Sequence, residues 1–464
     1  MIPVTTYAGR KVAVFGLGGS GLTTAHALTA GGAQVICYDD KRERVEAADA
    51  AGLPTGDLRV ADFAGFDALV LSPGVPLTHP APHWTVERAR VAGIPVVGDV
   101  ELFDGERRAA NAGLRLAAIT GTNGKSTTTA LLGHLLAELG EAAQVGGNIG
   151  RPVLDLDPVP GTAVVECSSY QIDLAPGLAP EVGCLLNLSP DHIDRHGTFE
   201  GYAAVKARLI AGSRQAVMGV DDETTAAMAD RFAAHGKPVL RIGAFDNETE
   251  LHRLGGAGVG AVGPVLYAVE AGGVREVGRL TGIASLRGRH NGENAAAALA
   301  MAKALGFAPE DAARHLATFP GLAHRMEEVG RAGDVLFVND SKATNAESAR
   351  QALASFDNIH WIVGGVAKAG GVESLTGFAP RIKAAYLIGE SSETFERQLK
   401  HHMPTVRCRT MDAALDIAAR SAASGGGVVL LSPACASFDQ FRSFEHRGDV
   451  FRDLVRARLS KETA

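Results

Sequence analysis

Cysteine is scarce and falls in no pattern. The five residues, Cys37, Cys167, Cys184, Cys408 and Cys435, are scattered, odd in number and free of CxxC spacing. That argues against a structural zinc framework and fits a reducing, cytoplasmic compartment. No uninterrupted apolar run reaches the roughly 18 residues of a membrane-spanning helix. Met1 to Lys11 is too polar to predict a secretory leader. An integral membrane protein is therefore not expected. Positive charge is also short. The net charge of −7 argues against a general nucleic-acid or bilayer binder and leaves any anionic ligand to local groups. There is no internal repeat and no low-complexity tail.

Glycine, in contrast, is plentiful at 56 of 464 residues, so glycine motifs need context before they mean anything. By chance GxGxxG is expected about 0.8 times and GxxGK[ST] about 0.03 times. The rarer motif is present as Gly121-Thr122-Asn123-Gly124-Lys125-Ser126-Thr127. It follows the apolar run Leu114 to Ile119 and precedes a helix-like run, Thr128 to Leu139. Strand, glycine loop with lysine and hydroxyl, then helix is how a backbone cradles a nucleotide triphosphate. The loop N–H groups face the phosphates and Lys125 neutralises the β and γ oxygens. The Ser126 or Thr127 hydroxyl reaches Mg²⁺. The loop is also shortened: the glycine expected six residues before the lysine is Ile119.

GxGxxG occurs twice, at Gly16–Gly21 and at Gly258–Gly263. The first has a strand before it (Lys11–Phe15), a helix after it (Gly21–Ala30) and a second strand, Gln34–Tyr38, ending at Asp39 and Asp40. That is a dinucleotide fingerprint, read alone either as an NAD site or as a turn for another nucleotide. The second copy follows no strand pattern and reads as loop. Further strands are expected at Ala68–Leu71, Ile94–Val97, Ala163–Val165, Gly183–Leu186, Val335–Val338, His360–Val363, Ala385–Ile388 and Val428–Leu431. Alternating with helical runs, they predict an α/β protein of three domains. The polar stretch Asp104–Gly113 reads as a linker, and residues 216–280 as a small β region. The expected bounds are 1–105 (Rossmann-like), 106–320 (P-loop ATPase-like, mostly parallel sheet) and 321–464 (Rossmann-like).

Four further clusters sit after strands, where α/β ligand sites form. Glu166 ends a strand and suits Mg²⁺. Asn187 to His196 is dense in potential ligands. Asn339-Asp340-Ser341-Lys342-Ala343-Thr344-Asn345 combines an acid, a lysine, hydroxyls and amides. Ser432 to Phe441 follows the last strand. Each also reads as ordinary turn-and-cap chemistry.

Together these segments resemble the Mur ligases over nearly the full length. The resemblance also rests on Ser72-Pro73-Gly74, Gly146-Gly147-Asn148-Ile149-Gly150, Glu166-Cys167-Ser168-Ser169, Asp191-His192-Ile193-Asp194-Arg195, the Tyr202-to-Lys206 spacing, His290-Asn291 and His324-Arg325. The shortened phosphate loop is the form that family uses. The last two clusters point to the member that adds D-glutamate. The Asn/Asp-Pro-Arg motif expected of the diaminopimelate- or lysine-adding member is absent.

The resemblance implies a fold, an activity and a set of site residues. The first domain holds the uridine diphosphate of UDP-N-acetylmuramoyl-L-alanine rather than NAD, lined by Gly19, Ser20, Asp39, Asp40, Ser72, Gly74, Asn148 and His192. The central domain binds ATP and two Mg²⁺, through Gly121 to Thr127 with Asn291, Asn294, Arg325 and Asp340. Ser126, Glu166, His192 and Lys206 serve the metals. Lys125, Glu166, His192 and Lys206 carry the catalysis. Lys206 does so as a carbamate, which implies a pKa well below the usual lysine value, because only a neutral amine adds CO₂. Lys342, Thr344, Lys368, Ser437 and Phe444 surround D-glutamate, although Val366-Ala367 stands before Lys368 where relatives carry a polar or acidic residue. A cytoplasmic monomer making peptidoglycan precursor is expected.

Three rivals predict something else. A folylpolyglutamate-type ligase lacks the first domain, while about 100 residues precede this loop. An NAD-dependent oxidoreductase leaves the loop and Lys206 unused. A nucleotide-gated binding protein has no need of so many potential metal ligands.

Overall fold

The computed structural model describes residues 1–110, 113–368 and 370–462. Three sheets organise them, all flanked by helices. The first is four-stranded and parallel, from β1 (Lys11–Phe15), β2 (Gln34–Tyr38), β3 (Ala68–Leu71) and β4 (Val96–Val97), in the order β2-β1-β3-β4. The second contains β5 (Leu114–Thr120), β6 (Ala143–Gly147), β7 (Gly161–Glu166), β8 (Val182–Leu185), β9 (Gln215–Gly219), β10 (Val239–Phe245), β11 (Gly258–Val262), β12 (Val265–Glu270) and β13 (Gly273–Arg279). Its order is β13-β12-β11-β10-β9-β8-β5-β7-β6, parallel except for the antiparallel β11–β12–β13 meander. The third contains β14 (Glu327–Ala332), β15 (Val335–Asn339), β16 (Ile359–Gly364), β17 (Ile382–Ile388), β18 (Thr405–Arg409) and β19 (Gly427–Leu431). Its order is β14-β15-β19-β16-β17-β18, with only the β14 edge antiparallel.

The chain divides into two compact units. The first, Met1–Thr281 with Gly292–Ala317, carries the first two sheets, and the second, Gly282–Asn291 with Thr318–Ala464, carries the third. The inner strands are apolar throughout, as strands covered on both faces must be. In β5 every residue but Arg115 is buried, and all of β3 and β16 is buried. A parallel sheet whose strand order reverses leaves a crevice at the carboxyl ends of its strands. The reversal falls between β1 and β3 in the first sheet, and around β5 in the second.

Two sequence expectations fail, for identifiable reasons. The stretch read as a linker is mostly the helix Asp99–Ala110. Most of its charges are not solvated: Asp99, Asp104, Glu106 and Arg107 are buried. Arg107 donates to Asp104 Oδ1 at 2.7 Å and to Glu181 Oε1 at 2.9 Å, and Glu106 accepts from Thr5 Oγ1 at 2.6 Å. Internal pairing makes a buried helix look polar in sequence. The second GxGxxG is not loop but strand β11, whose Val259 and Ala261 are buried between its glycines. The small β region also keeps one crossover helix, Glu223–Ala234, and the loop helix begins at Lys125 rather than Thr128.

Candidate active site

The glycine loop of the first sheet is built on close approach. A Cβ on Gly21 would lie 1.9 Å from Gly16 O, so only glycine lets the helix Gly19–Ala30 pack there. Asp39, at the end of β2, ties the loop down. Its Oδ2 accepts from Leu17 N at 2.7 Å and its Oδ1 from Lys41 N at 2.9 Å. Burial alone would raise this carboxyl, but those two N–H groups and Arg44 outweigh it and hold the pKa below its usual value. Asp40 is exposed and its Oδ2 lies 3.2 Å from His83 Nε2. Ser72 follows β3 and donates its N–H to Phe15 O at 3.0 Å. Gly19, Ser20, Ser72 and Gly74 thus gather at one sheet edge with Asp39 and Asp40.

The phosphate loop leaves β5 and opens the helix Lys125–Glu138. Gly124 has φ +83°, and a Cβ there would lie 2.3 Å from Asn294 Oδ1. Asn294 also accepts from Thr128 Oγ1 at 3.2 Å, so it is packed against the loop's helix. The Lys125 ammonium folds back onto Gly121 O at 2.9 Å and Thr122 O at 2.8 Å. Asn123 donates its N–H to Asn187 Oδ1 at 2.9 Å, and Thr122 Oγ1 lies 3.1 Å from Tyr202 Oη. Ser126 is buried and Thr127 half-buried on the first turn.

Glu166, at the end of β7, is 2 % exposed. Asn148 Nδ2 donates to its Oε1 at 2.8 Å, while Oε2 is buried with no hydrogen-bond partner among the described residues. An orphaned carboxylate oxygen costs stability unless something electropositive meets it. Asn148, expected at the uridine nucleotide, therefore stands beside the expected metal carboxylate. Lys206, on the helix Phe199–Gly212, is 1 % exposed. Its Nζ donates to Thr120 Oγ1 and Gly121 O, both at 2.9 Å. Burial, and then the nearby Lys125 charge, push its pKa well below the usual lysine value. His192 has φ +53° and bonds Tyr170 Oη through Nδ1 at 2.7 Å.

The donor set fits a hard divalent cation in part. No three His, Cys, Asp or Glu side chains cluster as a metal site among the described residues. Ser126, Glu166 and His192 supply oxygen and nitrogen donors, with Glu166 Oε2 poised and unsatisfied. Lys206 would serve only once converted to an anion.

In the second unit the residues expected at D-glutamate follow the ends of β15 (Lys342, Thr344), β16 (Lys368) and β19 (Ser437), while Phe444 opens the last helix. Lys342 Nζ stands 3.7 Å from the centre of the Phe444 ring. Ser437 is buried, and Val366 N donates to Ala436 O at 2.9 Å, which brings the turn before Lys368 beside Ser437. Lys368 is exposed. Thr344 precedes the helix Ala346–Ser355. Asn291 Nδ2 donates to Arg287 O at 2.8 Å. Asp340 is buried; it accepts from Met326 N at 3.2 Å and Ser432 Oγ at 2.8 Å. Burial pushes its carboxyl up to about 7, against the pull of those donors and Arg325.

Because the folded pKa of Asp340 exceeds the unfolded 3.8, its contribution to stability is full below about 4 and is lost as the pH rises to about 7. Asp340→Asn is expected to flatten that decline, read as the urea midpoint at pH 4, 5, 6 and 8.

Sequence reasoning passed over Tyr170 and Arg447, and gave Arg195 no role beyond its place in the Asp191–Arg195 motif. Arg447 is 1 % exposed and donates to Ser341 O at 2.8 Å and Cys435 O at 3.0 Å, joining the two terminal clusters. Its place on the same helix as Phe444 was the available signal.

A glycine turn tied to Asp39 on the first sheet, and a phosphate-loop sequence beside the buried Lys206 on the second, are the features of an ATP-dependent ligase. The chain belongs to the Mur ligase family. Residues 10–98 match the MurD-like N-terminal domain of Mur ligases, 119–302 the Mur ligase middle domain, and 324–435 the Mur ligase glutamate ligase domain. A UDP-N-acetylmuramoylalanine–D-glutamate ligase of Chelativorans sp. (strain BNC1) is 54 % identical over 98 % of this chain and 97 % of its own length. One of Nitrobacter winogradskyi is 54 % identical over 98 % of each. The fold is that of MurF from Acinetobacter baumannii (TM-score 0.58, 21 % identity, 84 % of this chain and 86 % of that one). It is also that of MurC from Thermotoga maritima (TM-score 0.57, 17 % identity, 97 % and 99 %).

Proposed function

We propose that this chain joins D-glutamate to UDP-N-acetylmuramoyl-L-alanine at the expense of ATP, in peptidoglycan precursor synthesis that serves cell growth, shape and division. The near full-length identity to D-glutamate ligases carries the reading. The buried Lys206 behind the phosphate loop supports it chemically.

Carboxylate is a poor electrophile, and amide formation in water is uphill. Transfer of the γ-phosphoryl group to the L-alanyl carboxylate solves both. The carboxylate oxygen takes the phosphorus and ADP leaves. The D-glutamate amine, having shed a proton, attacks the acyl carbon, and phosphate departs from the tetrahedral intermediate. The protein positions groups and stabilises charge. Loop N–H groups from Gly121 to Thr127 and the Lys125 ammonium hold the phosphates, with Asn291, Asn294, Arg325 and Asp340 as further ATP contacts. Gly19, Ser20, Asp39, Asp40, Ser72, Gly74 and Asn148 hold the uridine nucleotide. Lys342, Thr344, Lys368, Ser437 and Phe444 hold D-glutamate. Ser126, Glu166, His192 and a carbamylated Lys206 would hold Mg²⁺, which offsets repulsion between ATP and the incoming carboxylate when bound.

The domain bounds 1–105, 106–320 and 321–464, a monomeric state and a cytoplasmic location belong to the same proposal. All five cysteines are buried free thiols, which suits a reducing compartment. No helix among the described residues is long and apolar enough to cross a membrane.

The test is phosphate release with ATP, Mg²⁺ and the precursor, comparing D-glutamate, L-glutamate, L-lysine and diaminopimelate. Release with D-glutamate alone is expected. Equal rates with L-lysine or diaminopimelate would sink the assignment.

A further inference from the structure

Arg195 lies outside every role assigned above, yet it joins two of the proposed sites. It sits in the short helix Ile193–His196, half-buried, and its guanidinium donates to three successive carbonyls of the loop after β3. Nη1 reaches Gly74 O at 3.2 Å; Nη2 reaches Pro73 O at 3.4 Å and Val75 O at 3.0 Å. Its other contact is the Tyr170 ring, with Cζ 4.4 Å from the centroid. Tyr170 Oη in turn bonds His192 Nδ1 at 2.7 Å, and the Tyr170 ring stacks on His196 at 5.7 Å. His196 is itself pinned by Ser169 Oγ at 2.9 Å. Pro73, Val75, Tyr170, Arg195 and His196 line one small cleft.

The chain of contacts runs without a gap from the Ser72–Val75 loop, through a planar cation and an aromatic ring, to His192. A planar fork with several fixed donors makes this possible, because it can serve carbonyls at its edge while its face lies on a ring. Lysine, a single point charge, cannot do both.

We propose that Arg195 is a positioning residue: it holds the Ser72–Val75 loop in fixed register with His192, and so sets the reach between the uridine diphosphate end and the carboxylate end of the precursor. This rests on the functional reading above, which puts Ser72 and Gly74 at the uridine nucleotide and His192 among the residues that would hold the Mg²⁺ facing the incoming carboxylate. A precursor held at both ends tolerates little error, since misplacement of reacting groups by about 1 Å costs on the order of 100-fold in rate. UDP alone spans only one end and does not feel the register.

The experiment compares wild type with Arg195→Lys, Arg195→Met and Arg195→Ala. Affinities for UDP alone and for ATP are measured by calorimetry, alongside kcat with the full precursor and the melting temperature. The expected result is near wild-type UDP and ATP binding in all variants, with kcat lowered by about 10- to 100-fold and not recovered in Arg195→Lys. Guanidinium at non-denaturing concentration should restore part of the Arg195→Ala rate. Wild-type kcat in Arg195→Met overturns the proposal. So does parallel loss of UDP binding, ATP binding and melting temperature, the mark of a purely structural role. A wild-type protein that releases no phosphate with precursor and D-glutamate overturns the functional reading instead.

Discussion

Arginine in place of Lys206 is expected to lower kcat by about 10²–10³-fold while the fold persists. Lys206 is 1 % exposed, and its Nζ is held by Thr120 Oγ1 and Gly121 O beside the phosphate loop. Burial and the Lys125 charge push its pKa down, so the neutral amine is far more populated than in an exposed lysine. A neutral amine can add CO₂: an N–C bond forms, one proton leaves to water, and the cation becomes an anion with two oxygens. Such an anion suits a hard metal, which an ammonium cannot ligate. Arginine keeps its proton throughout and cannot undergo this change.

Three measurements check it. Steady-state kinetics of Lys206→Arg should show the loss of kcat. Millimolar formate or acetate should restore part of the activity of Lys206→Ala. Removing dissolved CO₂ should slow the wild type, and bicarbonate should reverse that. Wild-type turnover in Lys206→Arg refutes the carbamate.

Glu166→Gln is expected to separate activity from stability. The substitution keeps shape and leaves an oxygen for Asn148 Nδ2, now 2.8 Å from Glu166 Oε1. It removes a buried negative charge whose second oxygen has no hydrogen-bond partner among the described residues. Satisfying or neutralising such a group is worth about 1–3 kcal/mol. The metal-free protein should therefore melt no lower than wild type, and up to a few degrees higher. Turnover should fall by about 10²–10³-fold, with Mg²⁺ required at higher concentration. Strain kept at a functional site and relieved by a disabling change is the expected trade. A variant that melts many degrees lower, or that keeps wild-type kcat, would show Glu166 to be an ordinary structural acid.

Much of the fold is legible in the residues. Strands β1, β2 and β3 follow from apolar runs bounded by glycine or acid, because buried parallel strands carry that signature. The two glycine loops follow from rarity and context. Where burial is partial the signature fades. Strand β18 buries only Cys408, β14 none, and neither stands out in sequence. The helix Asp99–Ala110 hid because its buried charges are met by partners far along the chain, Arg107 by Glu181 and Glu106 by the hydroxyl of Thr5 about a hundred residues away. Strand β11 hid because glycine in a sheet looks like glycine in a turn.

The site divides the same way. Residue types at strand ends, Lys125, Glu166, Lys342 and Ser437 among them, are dictated by chemistry that must be present locally, so the chain alone names them, with resemblance supplying their roles. What the residues could not decide was electrostatic state and pairing. The depression of Lys206 was expected, but only through the resemblance; it, the elevation of Asp340, the unsatisfied Glu166 oxygen and the span of Arg195 all arise from burial and from partners on distant segments. Those are properties of packing, which brings desolvation and neighbouring charge to a group irrespective of its place in the chain.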